Sequence, residues 1–321
     1  MTNATTATTP SADPTSRAQG YRGIIPPVIT PRTASGIVDA EALRRVVAHQ
    51  LAGGVDGLFA LGSSGEVPYL TQQERELVVT TIVDEAAGRV PVLVGANEQT
   101  TPRVVAEAER LAGLGIDGLV VTSPFYALSD QAEVATHFRA VKDRIGLPVF
   151  AYDVPVRTHL KLGLDVIVQL AEDGVIAGLK DSSGDDVAFR QVLLATAHLP
   201  QFRVFTGHEV VVDGALLGGA HGAVPGLGNV DPAGYARLFA AAQAGDWTAA
   251  KAEQDRLAQL FRIVEVTEPG ISAGAAGLGA FKTALQLLGI IESNRMSEPM
   301  RSLGAAETDR IRGILHGADL L

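Results

Sequence analysis

Val90-Pro-Val-Leu-Val-Gly95 and Gly118-Leu-Val-Val-Thr122 bracket the segment from Pro102 to Leu114. The two flanking runs are short, apolar and rich in β-branched residues, which reads as buried strand. The segment between them carries apolar residues at helical spacing. A strand, a helix and a second strand in that order make a parallel unit.

The same unit recurs on both sides. Further strands are expected at Gly23 to Ile29, Gly57 to Leu61, Pro148 to Tyr152, Val175 to Lys180, Arg203 to Thr206 and Gly222 to Pro225. Helical spacing runs over Asp39 to Leu51, Thr71 to Ala87 and Gln131 to Asp143. The strands are apolar throughout rather than alternating, as expected when both faces are covered. Eight strands, each followed by a helical segment, predict an α/β fold of the closed (β/α)8 type. A doubly wound open sheet is the rival, but no Gly-rich dinucleotide turn follows the first strand.

After Asp231 the strand signal stops. Helices are expected at Ala233 to Ala244, Trp247 to Val264, Gly277 to Leu288 and Ala305 to His316, with a Gly- and Ala-rich linker from Val266 to Gly279. The expected organisation is a flexible, solvated tail over 1–20, a barrel over 21–230 and a helical domain over 231–321.

Composition narrows the function. The 321 residues are 46% apolar with a formal charge of −10, so a disordered chain or a nucleic-acid binder is not expected. Cysteine is absent, which excludes disulfides, thiol nucleophiles and Cys-ligated metal and fits a reducing cytoplasm. No apolar run is long enough to span a membrane. The first 20 residues lack the apolar core of a secretory signal.

In a (β/α)8 barrel the chemistry lies at the C-terminal ends of the strands. The polar residues found there are Ser63, Ser64, Glu66, Asn97, Tyr126, Tyr152, Lys180, Glu209 and Asn229. Of the five lysines, Lys142, Lys161, Lys251 and Lys282 fall in helix or loop contexts where a solvated ammonium costs little. Lys180 alone closes an apolar strand, Val175-Ile-Ala-Gly-Leu-Lys180. Lost hydration there favours a neutral amine, the form that attacks a ketone. The plainer alternative is a lysine paired with Asp181 or Asp185.

The neighbouring residues carry two readings each. Gly62-Ser63-Ser64-Gly65-Glu66 offers hydroxyls and backbone N–H groups to a carboxylate, or is only a tight turn. Tyr152 can shuttle protons, or is a half-buried aromatic with a satisfied hydroxyl. Arg157 can grip a carboxylate in a bidentate fork, or is a loop charge. Gly226 to Asn229 could cradle a phosphate, but no basic residue follows. His159, His208 and His221 are read as structural. A non-catalytic binder on the same fold stays open, since fold does not fix function.

Four segments then carry a family resemblance. They are Gly62-Ser-Ser-Gly-Glu66, Ser123-Pro-Phe-Tyr126, Tyr152-Asp-Val-Pro-Val-Arg157 and Gly178-Leu-Lys-Asp-Ser-Ser-Gly184. In order and spacing the chain resembles the dihydrodipicolinate synthase and N-acetylneuraminate lyase superfamily, the pyruvate-dependent class I aldolases, from Gly23 to the C-terminus. The resemblance implies that Lys180 is the Schiff-base lysine and Tyr152 the proton relay. Ser63 and Ser64 hold the pyruvate carboxylate, and Ser64 helps move protons. Tyr126 crosses a tight dimer interface in a homotetramer. Arg157 meets the second substrate's carboxylate, with Gly207, Glu209 and Val224 around that substrate. Pyruvate and an aldehyde are the implied partners, and no metal or cofactor is implied.

The synthase form would join pyruvate to aspartate semialdehyde. The chain departs from it in four places. Asp153 stands for the synthase's Asn, Thr206-Gly-His-Glu209 for Ser-Gly-Asp-Asp, and Ala223-Val-Pro-Gly226 for Val-Ile-Ser-Val. The paired threonines are serines. These positions are expected around the second substrate. They leave a 2-keto-3-deoxy sugar acid aldolase or dehydratase, or a sialate-type lyase, as the alternative.

Overall fold

The computed structural model describes residues 20–321. The tail expected over 1–20 lies outside them, apart from Gly20. Eight strands form the sheet: β1 (Gly23–Ile24), β2 (Leu58–Ala60), β3 (Val92–Gly95), β4 (Gly118–Thr122), β5 (Val149–Asp153), β6 (Gly178–Asp181), β7 (Arg203–Thr206) and β8 (Gly222–Ala223). All neighbours are parallel, in the order β1-β8-β7-β6-β5-β4-β3-β2. A parallel bridge between Pro27 and Phe59 joins the two ends. Val28 N–H donates to Phe59 O at 2.8 Å and Phe59 N–H to Pro26 O at 3.0 Å. The sheet is thereby a closed (β/α)8 barrel.

The regular strands at β1 and β8 are shorter than the apolar runs. Pro26, Pro27 and Pro225 end them, because proline offers no N–H to the ladder. Several helices begin on side-chain caps. Thr71 and Asp130 each form a reciprocal capping box, with Glu74 and Glu133.

Strand parity separates two cores. Along β5, Val149 and Ala151 face the helices while Phe150 and Tyr152 face the barrel axis. The axial core also holds Ile25, Phe59, Leu93, Val120, Phe205 and Val224. Lys180 pairs in register with Tyr152, and register partners share a face. The lysine is therefore aimed into the barrel mouth.

The helix Pro232–Gln243 packs against β1 and the helix Ala40–Ala52, completing the outer ring. Helices Trp247–Phe261, Ala273–Leu287 and Ala305–Gly317 follow. The linker expected up to Gly279 is in part helix. Ser272 accepts from Ala275 N–H at 3.2 Å and starts the helix four residues before Gly277. Glycine here serves close packing: a Cβ at Gly279 would lie 3.1 Å from Leu303. This helix packs on the turn Gly226–Asn229, and so sits beside the barrel mouth. Among the described residues no helix is long and apolar enough to cross a membrane.

Candidate active site

Lys180 is 6% exposed and its amine is set between two rings. Its Nζ lies 3.7 Å from the Tyr152 ring centroid and 4.8 Å from that of Phe59. The two rings meet edge to face, with centroids 6.4 Å apart. Among the described residues no carboxylate forms an ion pair with Lys180. The alternative pairing with Asp181 or Asp185 is not formed. Asp181 is one residue further along β6, so parity turns it outward, where Lys161 meets it at 3.5 Å. Asp185 caps the helix Asp186–Ala195 instead.

Tyr152 is the most connected group. Burial pushes its phenol up. The Lys180 charge and hydrogen bonds from Lys180, Ser182 and Ser63 outweigh burial and bring it below the usual tyrosine value. Ser63 thus reaches Tyr152 directly, and Ser64 lies beside it in the half-buried turn. Ser182 was not among the expected site residues. Its signal was present: it stands two residues after Lys180. Gly207 makes room for it, since a Cβ there would lie 2.0 Å from Ser182 Oγ. Gly207 N–H donates to Asp181 O at 2.6 Å and ties β7 to β6 at this point.

Glu209 follows on the same loop. Its Oε1 accepts from the N–H groups of Gly226 and Leu227. Its Oε2 is sealed from solvent and has no hydrogen-bond partner. Burial raises the carboxyl from 4.5 to about 7, against the lowering effect of Gly226, Leu227 and the Lys180 charge. Val224 is buried in the axial core beside β7.

Two expected residues stand apart. Tyr126 is 90% exposed with φ of 78°. Arg157 is exposed on the single-turn helix Pro155–Thr158, with its guanidinium over Gly274. A Cβ there would lie 3.5 Å from Nη2.

Several polar strand ends have structural work instead. Asn229 is fully buried and spends its amide on Ile29, Gln50, Pro27 and Gly226. Asn97 accepts from Thr122 N–H at 2.9 Å. Glu66, at φ of 59°, pairs with Lys282, and both side chains are fully buried. Lys282 and Lys161 therefore correct the expectation of solvated ammonium groups. Helical spacing shows which face a residue takes, not what covers that face. Burial pulls Lys282 down, and Glu66 opposes it.

Asp153 is a further correction. Parity turns it away from the mouth, toward Lys161, and its Oδ1 accepts from Leu162 N–H at 3.1 Å. Its difference from the synthase's Asn therefore does not line the second-substrate side. The histidines form no cluster around Lys180. His208 Nδ1 lies 3.2 Å from Asp186, and His221 Nδ1 3.1 Å from Val204 N.

A model described as the dihydrodipicolinate synthetase family matches residues 20–318. The chain belongs to this family. Family members are lyases, and this chain is an enzyme of that kind. An uncharacterised DapA-like lyase of Halobacterium salinarum is 34% identical over 88% of this chain and 90% of its own length. A 4-hydroxy-tetrahydrodipicolinate synthase of Rhodopseudomonas palustris is 33% identical over 94% and 98%. Among solved structures, a family member from an E. coli K12 prophage, determined in complex with pyruvate, has a TM-score of 0.87 at 28% identity. That match covers 94% of this chain and 99% of the other. A monomeric dihydrodipicolinate synthase variant also has a TM-score of 0.87, at 26% identity over 96% and 99%.

Proposed function

We propose that the protein is a Schiff-base lyase in which Lys180 condenses with pyruvate. The observation that carries this reading is the buried Lys180 amine on the ring of Tyr152, whose phenol is held below its usual value. The amine attacks the ketone carbon. Tyr152 moves the proton that converts the carbinolamine hydroxyl to leaving water. The iminium then withdraws electrons, the methyl group loses a proton and an enamine forms. The Ser63–Ser64 turn holds the carboxylate. Addition of the enamine to an aldehyde, or the reverse cleavage, completes the cycle.

The test is borohydride reduction with pyruvate, followed by peptide mapping. A single adduct on Lys180, lost in Lys180→Ala, is expected. Absence of the adduct, or its mapping to another lysine, overturns the reading.

The synthase form, with aspartate semialdehyde as acceptor, is supported by the names of relatives such as the Rhodopseudomonas palustris enzyme and by Arg157 near the mouth. A second reading, a 2-keto-3-deoxy sugar acid aldolase or dehydratase or a sialate-type lyase, is favoured by Glu209, which brings one free carboxylate oxygen. We also infer a cytoplasmic homotetramer built from two tight dimers. Its support is the exposed pair Tyr126 and Leu128, 90% and 82% accessible on one protomer. Sedimentation at working concentration tests it; a fully active monomer would remove the role of Tyr126.

A further inference from the structure

The residues that follow Tyr152 and Lys180 in their strands are both carboxylates. Asp153 and Asp181 are register partners one step beyond the Tyr152–Lys180 pair, and parity turns them to the outer face of the barrel. They are 1% and 4% exposed. Two enclosed like charges on adjoining strand ends repel, so one takes up a proton or the ends part unless a cation stands between them. Lys161 supplies that cation. Its Nζ donates to Asp153 Oδ2 and lies 3.5 Å from Asp181 Oδ2. Its main chain is anchored from the helix Gln131–Arg144. Gln131 Nε2 donates to Lys161 O at 2.8 Å, and Gln131 Oε1 accepts from Gly163 N–H at 2.8 Å. Burial pushes the Asp153 carboxyl up, and the Lys161 hydrogen bond opposes it.

This cluster reaches the site through Ser182. The Ser182 N–H donates to Asp153 O at 2.9 Å, and Asp181 Oδ1 accepts from Ser183 N–H at 2.7 Å. The serine is thereby fixed at its own nitrogen and at the next one. Its hydroxyl bonds the Tyr152 phenol. A change in the spacing of Asp153 and Asp181 therefore moves that hydroxyl, although the two carboxylates point away from the barrel axis.

We propose that Lys161 is a positioning residue for the reacting pair: by bridging Asp153 and Asp181 it sets the ends of β5 and β6 against each other and keeps the Ser182 hydroxyl on Tyr152. The inference rests on the Schiff-base reading of Lys180 and Tyr152 and deepens it by naming what holds them in place. Charge makes the bridge testable. The cluster has two carboxylates and one ammonium. Lys161→Met leaves both carboxylates unbalanced. Asp153→Asn added to it returns the net charge to that of the unsubstituted chain, and the new amide can donate to Asp181.

The test is timed borohydride trapping of pyruvate on Lys180 in the full chain, followed against pyruvate concentration and pH, beside thermal melting. Lys161→Met should lower the rate at saturating pyruvate about tenfold to a hundredfold, the scale of a displaced reacting group. The half-saturating pyruvate concentration should not change, since the Ser63–Ser64 turn is untouched. The Tyr152 phenol meets Lys180 and Ser182 from the β6 side and Ser63 from the turn after β2. Loss of the Ser182 contact should move the basic limb of the trapping rate to higher pH. Lys161→Arg keeps the cation and should retain both rate and limb. Asp153→Asn in the Lys161→Met background should recover most of both. Should Lys161→Met not fold, Lys161→Gln, which keeps a donor for one carboxylate, should show the same shifts on a smaller scale. A lower melting temperature with the saturating rate and the basic limb unchanged gives Lys161 a structural role only and overturns the inference. A loss that Asp153→Asn leaves uncorrected also overturns it, and the Schiff-base reading stands. Absence of the adduct in the unsubstituted chain overturns the Schiff-base reading, and this inference with it.

Discussion

Lys180 and Tyr152 are register partners on β6 and β5, and the lysine Nζ stands 3.7 Å from the centroid of the tyrosine ring. Parallel pairing makes the two side chains share a face, and that face is the inside of the barrel. An amine and a phenol held together in this way can exchange a proton without either moving far. The pair is also the point where the other hydroxyls meet, through Ser63 and Ser182.

Tyr152→Phe removes the proton carrier and keeps the ring on which Lys180 rests. Turnover should fall about 10²- to 10⁴-fold, the usual worth of a positioned acid–base group. Borohydride trapping should become slow rather than vanish. Steady-state kinetics and timed trapping measure both; a loss below tenfold would give the proton to another group.

Ser182→Ala removes a hydrogen bond that holds the Tyr152 phenol down. The phenol should then rise, and the basic limb of the kcat profile should move to higher pH. Gly207→Ala should shift the same limb the same way, because its Cβ would displace Ser182 Oγ, only 2.0 Å off. The double variant should resemble either single one, since all three break the same link. Additive shifts would separate the two positions.

Glu209 gives a pH signature in stability. Its carboxyl titrates near 4.5 in the reference state and at about 7 in the fold. Between those values the folded protein holds more protons, so stability from this group falls as pH rises through the window and stays lower above it. The effect is up to about 3 kcal/mol. Glu209→Gln should therefore raise the melting temperature above pH 7 and leave it unchanged below pH 4.5. Equal shifts at both ends would point to packing instead.

Lys282→Met should leave Glu66 buried without its counter-ion. Removing one partner of a buried pair costs about 3–5 kcal/mol. Urea unfolding should show that loss, and Glu66→Gln in the Lys282→Met background should recover part of it. A loss below 1 kcal/mol, about the worth of an exposed pair, would mean that water reaches Glu66.

The barrel was legible because its signal is local. Short β-branched runs and helical spacing each need only a dozen neighbouring residues, and the proline stops at Pro26 and Pro225 explain where the runs and the regular strands differ. Lys180 was legible for the same reason, as an ammonium at the end of an apolar strand. Lys282 was not. Its helix shows an apolar face either way, and only the arrival of Glu66, 216 positions earlier in the chain, shows that the ammonium is enclosed. Asp153 sits at a strand end yet does not face the mouth, because parity set by Tyr152 turns it outward to Lys161.

By itself, then, the order of residues determined the strand–helix alternation, the lysine that closes an apolar strand and the tyrosine and serine types that follow neighbouring strands. These follow from propensity, period and side-chain chemistry, which act over a few residues. Tertiary structure alone decided which hydroxyls reach Tyr152, that Glu209 keeps one oxygen without a partner, that Tyr126 is left exposed, and that the Lys180 amine stands by the rings of Tyr152 and Phe59. Each of these depends on segments far apart in the chain being packed together, and the closing of the barrel and the docking of the last helices on its mouth set those distances.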